Sequence, residues 1–127
     1  MALCLIVDDS ESMREIAAEH VAALGHEVRE ADGAEAAVGA LRQAGSSVDL
    51  VLLDWDLPSL GALDVLRAAS ERTPRPAIIL CATENDTRQF DLARAAGAAH
   101  HLLKPYDAES IRAAVTKAVG EEPARGA

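Results

Sequence analysis

Residues Leu50–Pro58 read LVLLDWDLP: four apolar residues run into Asp54 and Asp56, which flank Trp55, and Pro58 closes the stretch. The preceding Val48 and Asp49 extend it to VDLVLL, too uniformly apolar to face water on either side. Such a run reads as a strand at the centre of a parallel sheet, covered by helices above and below. All its functional charge sits at the exit. The strand therefore delivers carboxylates to one edge of a sheet.

The rest of the chain repeats the same unit. ALCLIV (residues 2–7) is a first strand, followed by a helix with Ser10 as N-cap, Met13, Ile16, Ala17, Val21 and Leu24 on its inner face, and Gly25 as its stop. HEVREA (26–31) alternates polar with apolar residues, the pattern of an edge strand. A second helix runs from Ala34 to Ala44 with Val38 and Leu41 inward, and a third from Gly61 to Arg72. The breaker TPRP precedes the strand AIILC, a helix from Asp86 to Ala96 and a stop at Gly97. AHHLL is the fifth strand, and Ala108–Val119, with Ile111, Ala114, Val115 and Ala118 on one face, is the last helix. Residues 1–120 make one domain; residues 121–127 have nothing to bury and are expected to be a short disordered tail.

Strands and helices that alternate through short connections require right-handed crossovers and a parallel sheet covered on both faces. The expected fold is α/β, a doubly wound five-stranded parallel sheet with five helices. Ligands of such sheets gather outside the carboxyl ends of the strands.

Composition narrows the partners. Twelve basic residues against twenty-one acidic ones give a net charge of −9 over 127 residues. That charge repels phosphate backbones and anionic lipid, which argues against nucleic acid or a membrane surface as a direct partner. The apolar run of MALCLIVDDS is too short for a signal peptide or a spanning helix, so a cytoplasmic location is expected. Cys4 and Cys81 lie in apolar runs without C-x-x-C spacing and read as small core residues. His20, His26 and His100 have no spacing that indicates metal ligation.

The first strand ends in Asp8 and Asp9, the third in Asp54 with Asp56 beyond it, the fourth in Cys81-Ala82-Thr83-Glu84 and the fifth in Lys104-Pro105. Clustered Asp8, Asp9 and Asp54 disfavour one another's ionisation unless a cation compensates. Mg2+ takes one or two carboxylates together with waters and a phosphoryl oxygen, and a lysine adds a point charge suited to phosphate. These parts fit phosphoryl transfer to an aspartate.

The motifs LIVDDSESMR, LLDWDLPSLGALDVL, CATEND and RAAGAAHHLLKPY fall in order at the ends of the expected strands. As a set they resemble the receiver domains of two-component response regulators, CheY-like single-domain members in particular, over residues 3–119. The resemblance implies a flavodoxin-like sheet in the order 2-1-3-4-5. It implies Asp54 as phospho-acceptor, Asp9 as a direct Mg2+ ligand with Asp8 beside it, and a backbone carbonyl from Asp56. Lys104 contacts the phosphoryl group, and the Lys104–Pro105 bond is cis. The donor is a phosphohistidine on a sensor histidine kinase or phosphotransfer protein, with acetyl phosphate as a small-molecule substitute. The domain is then no enzyme apart from catalysing its own phosphorylation and dephosphorylation. Without an effector domain, output passes to a protein partner on the face of helix 4, strand 5 and helix 5.

Three positions depart from that family. A gap-free count back from Lys104 and Gly97 puts Ala82 where receivers carry a Ser or Thr hydroxyl; a one-residue shift at the strand end puts Thr83 there instead. His101 occupies the place of a Tyr or Phe that moves on activation, and reads either as a titratable switch or as a surface residue. Gly61-Ala62 sets the glycine of the proline loop one place early. Asp56 and Glu84 flank the phosphoryl position, where their charge is expected to influence hydrolysis. Two other readings remain: a pseudo-receiver that signals without phosphorylation because of Ala82, and, through the D-x-D in LLDWD, a haloacid-dehalogenase-type phosphatase.

Overall fold

The apolar runs become strands β1 (Leu3–Val7), β2 (Glu27–Ala31), β3 (Leu50–Asp54), β4 (Ala77–Ala82) and β5 (His100–Leu103). The helices are α1 (Glu11–Ala23), α2 (Ala34–Arg42), α3 (Gly61–Ser70), α4 (Thr87–Ala95) and α5 (Ala108–Gly120), with a 3-10 turn at Pro58–Leu60 before α3. The structure, a computed structural model, describes residues 2–43, 47–83, 87–95 and 97–120. Glu84, the helix termini expected at Ala44, Asp86 and Ala96, and the 121–127 tail lie outside the described residues.

The five strands pair in parallel in the order β2-β1-β3-β4-β5. All five residues of β3 are buried, as its composition requires of the central strand, while β2 exposes most of its residues at the edge. Successive side chains leave a strand on opposite faces, so the apolar run of β3 feeds two cores. Val51 and Leu53 join Leu5, Val7, Leu80, Leu41 and Val65 under α2 and α3. Leu50 and Leu52 join Cys4, Ile6, Ile79, Val21 and Ile111 under α1 and α5. Truncating one of these leucines to alanine is of the class that costs about 2–5 kcal/mol.

Local chemistry sets the helix ends. Ser10 caps α1, its hydroxyl accepting the Met13 N–H at 3.4 Å. Gly25 and Gly97 end α1 and α4 with φ of +92° and +118°, conformations that other residues adopt only with strain. Asp107 and Ser110 cap α5 reciprocally: Asp107 Oδ1 accepts the Ser110 N–H at 2.8 Å and Ser110 Oγ accepts the Asp107 N–H at 3.1 Å.

Two local expectations change. Ile16 is 39% exposed; α1 buries Ala17 and Val21 with Met13 and Leu24 alongside, and Ile16 falls outside that stripe. Gly61, helical at φ −57°, has a steric rather than a conformational role, because a Cβ there would stand 2.8 Å from the Ala34 Cβ. The left-handed residue of the loop is Ser59, at φ 57°. The early glycine thus lets α2 and α3 start in contact.

Candidate functional site

β1 and β3 run side by side with Val7 opposite Leu53, so the next residue on each strand, Asp8 and Asp54, meets the other at the carboxyl edge. One carboxylate oxygen from each of Asp8, Asp9 and Asp54 lies within 4.8 Å of the others. Asp8 and Asp54 are buried, whereas Asp9 is exposed. β5 supplies the opposing charge. Its ladder with β4 ends at Ala82 opposite Leu103, and the Lys104 N–H donates to the Ala82 carbonyl at 2.8 Å. From there Lys104 Nζ reaches Asp8 Oδ2 at 2.7 Å and Asp54 Oδ1 at 3.1 Å. The Lys104–Pro105 bond is cis, as the motif implies, and so is Thr73–Pro74.

Backbone donors complete the cluster. Ser10 N–H donates to Asp8 Oδ1 at 2.9 Å, and Asp56 N–H to Asp54 Oδ1 at 3.0 Å. The Trp55 N–H binds the Cys81 carbonyl at 2.8 Å, which ties the turn after β3 to β4. Asp54 Oδ1 thus has two donors, while Oδ2 accepts no hydrogen bond from a described residue. That oxygen keeps its lone pairs for an electrophile or a cation.

Burial raises the Asp54 pKa above the ordinary carboxylate value, and the Asp56 amide and Lys104 offset only part of the rise. Burial works against the Lys104 charge as well, but its hydrogen bond to Asp8 and the attraction of Asp54 more than compensate and raise its pKa. Three carboxylates face one ammonium, so with all of them ionised the cluster is two charges short of neutrality. An all-oxygen, net-negative cluster fits a hard divalent cation such as Mg2+.

The remaining predicted residues lie around this centre. β4 pairs with β3 without a bulge from Leu50–Ala77 to Asp54–Cys81, and Ala82, buried, is its last residue. Thr83 is exposed, and its hydroxyl donates to Asp56 Oδ2 at 3.4 Å rather than to Asp54. No hydroxyl of a described residue binds Asp54. His101 is exposed on β5, in register with Leu80. Trp55 is half-buried against the α2–α3 core.

Two residues were not anticipated. Arg14 Nη1 donates to the Asp8 carbonyl at 2.9 Å, and Tyr106 is buried on the α1–α5 side of the sheet. Burial first, then the charges of Cys81, Asp8 and Asp54, push the Tyr106 phenol above its ordinary pKa. A long basic side chain one turn into the helix that comes after Asp8 and Asp9 is the sequence signal that points to Arg14.

A family model described as response regulator receiver domain matches residues 4–116. The chain is 28% identical over 127 residues to a chemotaxis protein CheY homolog of Campylobacter jejuni subsp. jejuni, covering 97% of this chain and 96% of that protein. It is 30% identical over 111 residues to chemotaxis protein CheY1 of Helicobacter pylori, covering 85% and 89%. A CheY-like receiver domain protein from Methanospirillum hungatei JF-1 superposes with a TM-score of 0.85 over 96% of both chains, at 21% identity, a likeness of fold. Among the described residues no helix is long and apolar enough to cross a membrane.

Proposed function

Because this chain belongs to the response regulator receiver domain family, we propose that it is a phosphorylation-controlled switch with Asp54 as phospho-acceptor. The supporting observation is the asymmetry of Asp54, held at Oδ1 by Lys104 and the Asp56 amide and given no hydrogen bond at Oδ2 by any described residue. The donor is a phosphohistidine on a sensor histidine kinase or phosphotransfer protein. The Asp54 carboxylate attacks phosphorus, the N–P bond breaks, and the leaving imidazole nitrogen takes up a proton. Lys104 moves its charge from the acids to the incoming phosphoryl oxygens, a short step from its place 3.1 Å from Asp54.

Asp8, Asp9 and Asp54, with the backbone carbonyl of Asp56, would hold Mg2+, which supplies positive charge to the phosphoryl oxygens when bound. Ser10 and Lys104 fix Asp8 in readiness for it. Output results if a partner binds the two states unequally. The surface of α4, β5 and α5 carries Leu92 and Leu103, 58% and 42% exposed, and is the proposed contact face.

Ala82 favours a second reading, in which the fold is kept and the partner is bound irrespective of phosphorylation, because the buried end of β4 offers no hydroxyl to a phosphoryl group. The D-x-D phosphatase reading loses its support: Asp54 ends the third strand, whereas that motif belongs to the first. Beryllofluoride with Mg2+, monitored by Trp55 fluorescence and by hydrogen exchange over α4 and β5, separates the first two. The switch predicts a fluorescence change with altered exchange on that face, both lost in Asp54→Asn. A fluorescence change with unaltered exchange supports the constitutive reading.

A further inference from the structure

Arg14 reaches the acid cluster without touching any of its carboxylates. Its Nη1 donates to the Asp8 carbonyl at 2.9 Å, and its Nε to Glu30 Oε1 on β2 at 3.3 Å. The Arg14 side chain is 16% exposed and that of Glu30 43%. Asp8 is otherwise held through its N–H to the Ala31 carbonyl, its Oδ1 to the Ser10 amide and its Oδ2 to Lys104. None of those contacts fixes the peptide plane between Asp8 and Asp9. Arg14 does, because the oxygen it binds belongs to that plane. Asp9 makes no hydrogen bond or ion pair with a described residue, so its backbone alone aims it at the cluster.

We infer that Arg14 is a positioning residue of the cation site: braced against β2 by Glu30, it locks the Asp8–Asp9 peptide and keeps Asp9 within reach of the cation that Asp8 and Asp54 share. The inference rests on the receiver reading of the cluster. A guanidinium suits the task, since its planar fork serves two acceptors from one rigid group, and an ammonium on a flexible stem does not. Charge opposes the role. A positive group beside the site repels Mg2+, so removing it tightens binding if charge alone matters, and weakens binding if position matters. The two accounts differ in sign.

Calorimetric titration with Mg2+ of the wild type, Arg14→Gln, Arg14→Lys and Glu30→Gln, each melted in EDTA to confirm folding, tests this. Arg14→Gln is expected to bind Mg2+ about tenfold more weakly, the scale on which outer partners of metal ligands act. Arg14→Lys weakens binding although the charge remains, and Glu30→Gln weakens it less. Affinity in Arg14→Gln equal to or tighter than wild type overturns the inference. If that variant does not fold, Arg14→Lys decides, and wild-type affinity there overturns it equally. Failure of the wild type itself to bind Mg2+ overturns the proposed Mg2+-dependent function of the acid cluster and the inference with it; normal wild-type binding with unchanged variants overturns the inference alone.

Discussion

Lys104 Nζ and Asp8 Oδ2 stand 2.7 Å apart although 96 residues separate them in the chain, and the pair is almost fully shielded from water. The bond joins β5 to the end of β1 across the site. Replacing Lys104 by methionine keeps most of the volume but leaves Asp8 and Asp54 buried without their counter-charge. Loss of one partner of such a buried pair is expected to cost about 3 kcal/mol in metal-free protein. Denaturant unfolding in EDTA measures it, and Mg2+ should restore part of the loss. Unchanged stability would show that the acids are neutral in the resting protein.

The end of β4 offers a gain-of-function test. Ala82 is buried at the strand terminus, and the Thr83 hydroxyl is directed to Asp56. Ala82→Ser adds one hydroxyl with little volume, and should enlarge the beryllofluoride-dependent change in hydrogen exchange over α4 and β5. Thr83→Ala should leave that change as it is in the wild type. The reverse pattern would assign the switch hydroxyl to Thr83.

Both cysteines are buried, and burial pushes their thiols up, Cys81 to about 12 and Cys4 likewise well above the ordinary range. At pH 8 the thiolate population is negligible and reagents have no access. Native protein should therefore react with Ellman's reagent only as fast as it unfolds, and both thiols should react at once in guanidinium. Rapid stoichiometric labelling of the native state would contradict the packing described for β1 and β4.

The cap of α5 gives a pH signature. Hydrogen bonds from the Ser110 backbone and side chain hold the Asp107 pKa below its ordinary value. A carboxylate whose pKa is lower in the folded state stabilises the fold above its unfolded value, near about 3.9, and loses that contribution as pH falls through the folded value. Asp107→Ala should lower the Tm at pH 7, and the difference from wild type should shrink as the pH drops below about 3.9. A difference independent of pH would assign the effect to helix propensity.

Hydrophobic period and charge placement made the sheet and the acid cluster legible in the sequence. β3 announces a central strand because both its faces are buried, and the order of the strands brings Asp8, Asp9, Asp54 and Lys104 to one edge. Contacts between elements were less legible. Apolar character alone does not say that Ile16 lies outside the buried stripe of α1, and a glycine gives no sign whether it serves a turn or, like Gly61, close packing against Ala34. The Arg14 side chain is visible in the sequence, but the acceptor it binds is the main-chain carbonyl of Asp8, which leaves no mark on residue identity, so the contact itself could not be read. Ala82 and Thr83 were ambiguous because register at a strand end depends on the ladder, and the unbroken β3–β4 pairing is a property of the fold.

The most direct test is intact-mass analysis and peptide mapping after incubation with acetyl phosphate and Mg2+. The account predicts the mass of one phosphoryl group, mapped to Asp54 and absent both in EDTA and in Asp54→Asn. No adduct on the wild type, or an adduct that persists in Asp54→Asn, would contradict it.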